Sequence, residues 1–389
     1  MDDISRNTDR LHICVVTETY PPEVNGVAMT LQRFVAGLLQ TGHSVSLVRP
    51  RQQYYDRPGC CNNPNVTLVR GMPLPGYHGI HIGLPAKKRL LRKWHSARPD
   101  VIYIATEGPL GKSALNAARR LDIPVVSGFH TNFHSYARHY YIGLVQHLVL
   151  GYLRKFHNQT AATLVPDEKI QQKLQDDGFR NVRVLTRGVD CDLFTPQRRD
   201  ENVRQGWGAN KHDKVLLYVG RLAAEKNIEL FVRVYRVMRL ADSRVKAVII
   251  GDGPLYKKLQ ADNHDVVFCG LQRGKTLAAS YASADLFVFP SLTETFGNVT
   301  LEAMASGLAV LAFDYAAASQ HIRDGVNGYL VQYGDEKGFV SKAVEITKYT
   351  DAMAELRQRA RTHVKQHHWG NIVTRFTAIL RDSMRVVAS

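Results

Sequence analysis

Cysteine is scarce in this chain of 389 residues. The five present, Cys14, Cys60, Cys61, Cys191 and Cys269, are an odd number without disulfide or zinc spacing. That excludes a small stapled scaffold and points to a reduced, cytosolic compartment. Long apolar runs are missing as well. None approaches the ~20 residues that span a bilayer, so no membrane-crossing helix is expected. Residues 1–10 are polar and charged, which argues against a secretory leader. No tandem repeat, low-complexity tract or heptad stands out. Acidic residues are short too: 35 Asp and Glu face 51 Lys and Arg, a formal net charge of +16. Residues 1–190 hold 24 basic against 14 acidic side chains, a net of +10, and the remainder has a net of +6. The densest cluster is Lys87-Lys88-Arg89-Leu90-Leu91-Arg92-Lys93-Trp94. Cations interleaved with Leu and Trp suit an interfacial helix on an anionic leaflet. They equally suit a solvated helix whose Leu and Trp pack inward. No recognition motif accompanies the charge, so no nucleic-acid partner is expected.

What the chain does have is alternation. Residues 12–17, 44–48, 66–69, 101–104, 125–129, 163–165 and 182–185 read as strands, with helices such as 27–39 and 113–120 between them. A second cycle has strands at 215–219, 245–250, 266–269, 286–289, 309–313 and 328–330. Alternation of this kind predicts α/β units with parallel, doubly wound sheets. The stretch from Gly188 to about Lys214, rich in Pro, Asp, Arg and Asn, reads as the link between the cycles. After Trp369, residues 371–385 form an amphipathic helix pattern. The length suffices for two domains, each with its own core.

The most informative stretch is residues 291–308, SLTETFGNVTLEAMASGL. A short buried strand ends at Pro290 and a helix pattern starts near Asn298, with Gly307 placed to stop it. Glu294 then lies in the loop at a strand's C-terminal end, and Glu302, eight positions on, lies about a turn inside the helix. Both face the crevice where open α/β sheets bind ligands. The backbone amides of Asn298 and Val299 would meet a phosphate at the helix start. Gly297, after Phe296, would let that phosphate approach the backbone. Glu302 could hold a ribose diol and Glu294 a sugar ring. Gly26, just after the first strand, would let the backbone approach a phosphate or an acceptor. Two motifs are decoys. Gly111-Lys112-Ser113 lacks the upstream glycine of a Walker A loop, since Thr106 stands there, so no ATPase is expected. Asp190-Cys191-Asp192 spells a metal-binding D-x-D but falls in the link, so no metal is expected there.

These segments, with 17–31, 127–133, 163–170, 187–196, 218–231, 249–255 and 269–291, resemble retaining glycosyltransferases of family 4 in order and over nearly the whole chain. The wording ETFGNVTLEAMASGL and FHTNF resembles sulfolipid synthases and GDP-mannose-dependent α-mannosyltransferases most. The resemblance implies a GT-B fold: two Rossmann-like domains with a cleft between them and a C-terminal helix crossing back. It divides the chain into an acceptor-side domain (1–188), a nucleotide-sugar domain (189–368) and the crossing helix (369–389). It further implies that Arg221 and Lys226 grip the diphosphate and that His130 contacts the donor sugar. Gly251 forms the donor-site turn, Gly270, Leu271 and Lys275 lie near the base, and Asn132 and His134 line the acceptor side. Asp190 to Phe194 becomes the family's link. The implied activity is metal-independent, cofactor-free and retaining hexosyl transfer from a nucleotide-diphosphate sugar to a hydroxyl. GDP-mannose is the first donor and a UDP-hexose the second. The acceptor is a membrane lipid or lipid-linked glycan, and the enzyme lies peripherally on the inner face of the plasma membrane. A UDP-sugar epimerase or a non-catalytic binding module ranks below, because both glutamates and both cations are present.

Overall fold

The structure is a computed structural model describing residues 10–23, 25–52, 65–73, 81–130, 144–294, 297–347 and 350–388. The chain divides into two compact units, one of residues 1–187 with 369–389 and the other of residues 188–368.

The first unit holds a seven-stranded sheet, all of its pairings parallel. Its strands are β1 (His12–Val16), β2 (Ser44–Pro50), β3 (Val66–Val69), β6 (Val101–Ile104), β7 (Val125–Gly128), β8 (Ala162–Val165) and β9 (Val182–Val184), in the order β3-β2-β1-β6-β7-β8-β9. Helices cover both faces, which is why central strands such as β1 and β6 are near-continuous apolar runs. On one face α1 (Gly26–Gln40) packs with the final helix, α14 (Trp369–Ala388). Phe34 stacks on Phe376 with ring centroids 4.6 Å apart, and Gly37 leaves room for Val373, which a Cβ there would meet at 2.4 Å. On the other face lie α2 (Lys87–Ser96) and α3 (Pro109–Arg120).

Helix α2 decides between the two readings of the basic cluster. Leu90 and Trp94 are fully buried in the core with Leu110 and Ala114, and Leu91 packs against that core. Lys87, Lys88, Arg89 and Arg92 are exposed. The apolar side chains are committed to the fold, so of the two readings the solvated helix with inward-packed Leu and Trp is the one observed, with charge alone on its outer face.

The second unit repeats the plan with six parallel strands. These are β10 (Lys214–Val219), β11 (Val245–Ile250), β12 (Val267–Phe268), β13 (Leu286–Phe289), β14 (Ala309–Phe313) and β15 (Tyr329–Val331), in the order β12-β11-β10-β13-β14-β15. That is the Rossmann order 3-2-1-4-5-6, with its switch point between β10 and β13. The expected link at 188–214 is instead folded into this unit. It contains α6 (Glu201–Gly206), and Phe194, Arg204 and Trp207 are buried. The hairpin of β4 (Gly71–Pro73) and β5 (His81–Gly83) has no signal in the sequence, because three-residue strands carrying Gly and Pro give no alternation.

Candidate active site

At the switch point of the second unit, the ends of β10 and β11 come together backbone to backbone. Gly220 N–H donates to the Ile250 carbonyl, and Leu222 N–H to the Asp252 carbonyl. A Cβ on Gly251 would lie 1.9 Å from the Gly220 carbonyl oxygen, and φ there is +144°, so no other residue fits this turn. The turn opens a cavity of about 470 Å³ whose lining includes Arg221, Gly251, Leu271, Val299 and Glu302. Four separate segments of sequence thus meet at the place where open sheets bind ligands. Arg221 is exposed and has no ion-pair partner among the described residues. Leu271 is 63% exposed, an apolar surface suited to the face of a base. Gly270 accepts the Gly251 N–H at 2.8 Å, whereas Lys275 is exposed and lies outside the cavity lining.

Glu302 sits in α10 (Asn298–Ala305) and accepts a hydrogen bond from the Tyr281 hydroxyl at 3.1 Å. Tyr281 belongs to α9 (Gly274–Ser283) and is fully buried. Burial, reinforced by the Glu302 carboxylate, holds its pKa well above the phenol range, so the hydroxyl stays protonated and fixes the carboxylate. The start of α10 is open: Gly297 at φ +92° precedes it, and no side chain caps it. Its first amides therefore keep their capacity for an anion. Phe296 lies outside the described residues.

Glu294 forms an ion pair with Lys226, whose Nζ also donates to the Thr293 carbonyl at 2.6 Å. Ser291 donates to Glu294 Oε1 at 3.3 Å, and the Tyr315 hydroxyl to the Glu294 carbonyl at 3.4 Å. The lysine side chain is 15% exposed and its partner 17% exposed, so the pair borders solvent and is strengthened by partial burial. Lys226 lies at the end of a 3-10 turn, Ala224–Lys226, next to Asn227 in the left-handed region. The structure thus places one expected diphosphate ligand, Lys226, on one expected sugar ligand, Glu294.

In the first unit, His130 shares a hydrogen bond of 2.8 Å with the Tyr103 hydroxyl. Gly128 makes room for that pair, since a Cβ there would lie 2.3 Å from the hydroxyl oxygen. Burial, then the charges of Arg187 and His157, push the imidazole pKa well down, so His130 is neutral. Gly26 begins α1, but Asn25 caps that helix by accepting from the amides of Val27 and Ala28. Those two amides are spent on the cap, and the approach of a phosphate or an acceptor expected at Gly26 concerns its own backbone. The glycine also clears space for Arg187, whose Nη1 would lie 3.3 Å from a Cβ there. Arg187 is 7% exposed and went unread, because nothing in RGVD marks a buried cation. Asn132 and His134 lie outside the described residues. A second cavity of this unit, about 530 Å³, is bordered by Arg51, Arg70, His81 and Arg89.

The D-x-D residues make local contacts. Asp190 accepts from the amide of Leu193 at 2.9 Å, and Asp192 pairs with His368 at 3.2 Å. Asp190, Asp192 and His368 bring one ligand atom each within 4.8 Å of the others.

Residues 24–193 match the family described as Glycosyltransferase Family 4, and residues 213–348 the family described as Glycosyl transferases group 1. The GDP-mannose-dependent alpha-mannosyltransferase of Corynebacterium glutamicum is 30% identical, over 94% of this chain and 87% of that protein. The alpha-monoglucosyldiacylglycerol synthase of Streptococcus pneumoniae is 28% identical, over 84% of this chain and 76% of that one. Among solved structures, Anabaena HepE in complex with UDP and glucose superposes with a TM-score of 0.70 at 18% identity, covering 96% of this chain and all of that one. With two Rossmann-ordered sheets, a cavity at the switch point and these relatives, the chain belongs to glycosyltransferase family 4 and is a hexosyltransferase of the GT-B fold.

Proposed function

We propose that this enzyme transfers mannose from GDP-mannose to a hydroxyl of a lipid or lipid-linked glycan, with retention of the α configuration and without a metal ion. The observation carrying the reading is Arg221 and the open start of α10 at the switch-point cavity, with the Lys226–Glu294 pair in the same unit. The chemical difficulty is negative charge growing on the leaving phosphate as the bond from the anomeric carbon breaks. Arg221, the helix amides and Lys226 supply fixed positive charge there, the role a cation plays in other enzymes. Removing one such donor costs about 10²–10³ in turnover.

The bond between the anomeric carbon and the phosphate oxygen breaks with its electron pair left on the phosphate. The acceptor oxygen bonds to the same face of the sugar, and its proton passes to the departing phosphate. The products are the glycoside and the nucleoside diphosphate. Glu302, oriented by Tyr281, binds the ribose diol. Glu294 receives sugar hydroxyls, its charge moderated by Lys226. Neutral His130 offers a hydrogen bond to the sugar without adding charge.

The donor assignment follows the Corynebacterium mannosyltransferase, which this chain matches over 94% of its length. UDP-glucose is the second reading, favoured by the pneumococcal relative and by the UDP and glucose in the Anabaena structure. Initial rates with GDP-mannose, UDP-glucose and UDP-galactose on a diacylglycerol acceptor test both. Faster consumption of GDP-mannose supports the first reading, and faster UDP-glucose turnover replaces it with the second. We further propose that the exposed cations of α2 dock the enzyme on the anionic inner face of the plasma membrane. No described helix is long and apolar enough to cross a bilayer.

A further inference from the structure

Three histidines outside the transfer site meet in the second unit. His321 ends α11 (Ala316–His321), His363 lies in the last turn of α13 (Thr350–Lys365), and His367 follows four residues later. Their ring centroids are 4.6, 5.2 and 5.6 Å apart. His321 Nδ1 is 3.4 Å from His363 Nε2, and one nitrogen of each ring lies within 4.8 Å of the other two. Zinc–imidazole bonds of about 2.0–2.1 Å in tetrahedral geometry would put three such centroids about 5 Å apart. The rings therefore stand close to a ligating arrangement before any metal arrives.

We propose that His321, His363 and His367 form a tri-imidazole site for a borderline divalent metal, zinc foremost, with a fourth position open to water. Ligation needs neutral imidazoles, and burial favours that form at His321 and His363. His321 is 3% exposed, and its pKa falls to about 3 through burial and then the two neighbouring histidines. His363 is lowered by burial and by Arg323. The charge of Arg323 opposes a cation, but that residue is exposed and screened. The metal is a structural tie. Helix α11 follows Tyr315, which holds the Glu294 carbonyl, and its six residues run about 9 Å to His321. Fixing that end to α13 steadies the loop that presents Glu294.

The test uses the full chain without an affinity tag, stripped with chelator and then given zinc or cobalt(II). Expected are about one zinc per chain after gel filtration, a Tm raised by about 5 °C or more, and the visible absorption of four-coordinate cobalt. All three signals should vanish in His363→Gln and in His367→Gln, but persist in Asp192→Asn, which alters only the neighbouring acidic group. His321→Leu should lose the metal while its stripped Tm stays within about 3 °C of the stripped wild type, showing that it folds. Uptake that is absent from the wild type, or equal in wild type and both glutamine variants, overturns the proposal. Loss in Asp192→Asn with retention in the histidine variants also overturns it and moves the metal to Asp190, Asp192 and His368. Stoichiometry and melting need no donor or acceptor, so the outcome is independent of the transfer reading.

Discussion

Glu294 and Glu302 are both carboxylates of one short motif, yet their neighbours give them different work. Glu302 is fixed by the Tyr281 hydroxyl, an uncharged partner. Glu302→Ala should therefore weaken nucleoside diphosphate binding about 10-fold or more by calorimetry, with Tyr281→Phe weakening it by less. Glu294 is paired with Lys226, and in the proposed function its sugar contacts tighten as positive charge grows on the ring. Glu294→Ala should lower kcat about 100-fold while nucleotide affinity changes less than about 3-fold. Unchanged nucleotide affinity in Glu302→Ala would remove the ribose assignment. A different carboxylate, Glu18, tests the electrostatics of the first unit. Burial, with the nearby Glu107 charge, raises its pKa from 4.5 to about 7 even though it accepts the Leu110 amide. A raised folded pKa means that its contribution to stability is full below pH 4.5 and is lost as pH rises through 7. Glu18→Gln should thus gain about 1–2 kcal/mol on the wild type at pH 8 relative to pH 4.5, a figure discounted for partial exposure. Paired melts at the two pH values check this, and an equal difference at both would contradict it.

Helix α2 separates packing from charge, because its two faces do different things. Trp94→Ala should cost about 3–5 kcal/mol of stability, since the indole is buried against the sheet. Changing Lys87, Lys88, Arg89, Arg92 and Lys93 to Gln should leave Tm nearly unchanged. It should also abolish most cosedimentation with anionic vesicles, at about 1 kcal/mol per cation near the surface. Salt near 0.5 M should release the wild type by screening. Equal sedimentation of the two proteins would leave α2 as an ordinary solvated helix. The pattern KKRLLRKW was legible as a helix but not as to which face is buried. That depended on α3 supplying Leu110 and Ala114 as partners. The same division recurs elsewhere. Strands such as Val245–Ile250 and Ala309–Phe313 were legible because a doubly covered parallel strand is an unbroken apolar run. The motif ETFGNVTLE showed its helix start and both glutamates. The Lys226–Glu294 pair joins residues 68 positions apart, and Tyr281 reaches Glu302 across 21. Such contacts arise from strand order, which periodicity does not encode. Asn25 capping α1 was readable in principle from an Asn before a helix, and the cap occupies the amides of Val27 and Ala28.

At the scale of the whole molecule, two Rossmann-ordered units appear in one chain, and the final helix returns to the first. In the proposed function the nucleotide binds the second unit, where Arg221 and the α10 start would take the place of a catalytic cation. Transfer measured at 25 °C should accordingly survive chelation, even where chelation lowers Tm by emptying the histidine site. Loss of transfer with EDTA and its return with manganese would reopen Asp190 and Asp192 as metal ligands. The most direct measurement is proton NMR of the purified enzyme turning over GDP-mannose with a lipid acceptor, read at the anomeric signal, for wild type and Arg221→Ala. The account predicts an α-mannoside from the wild type and a rate about 10²–10³ lower in the variant. A β-linked product, or an Arg221→Ala enzyme as fast as the wild type, would contradict it.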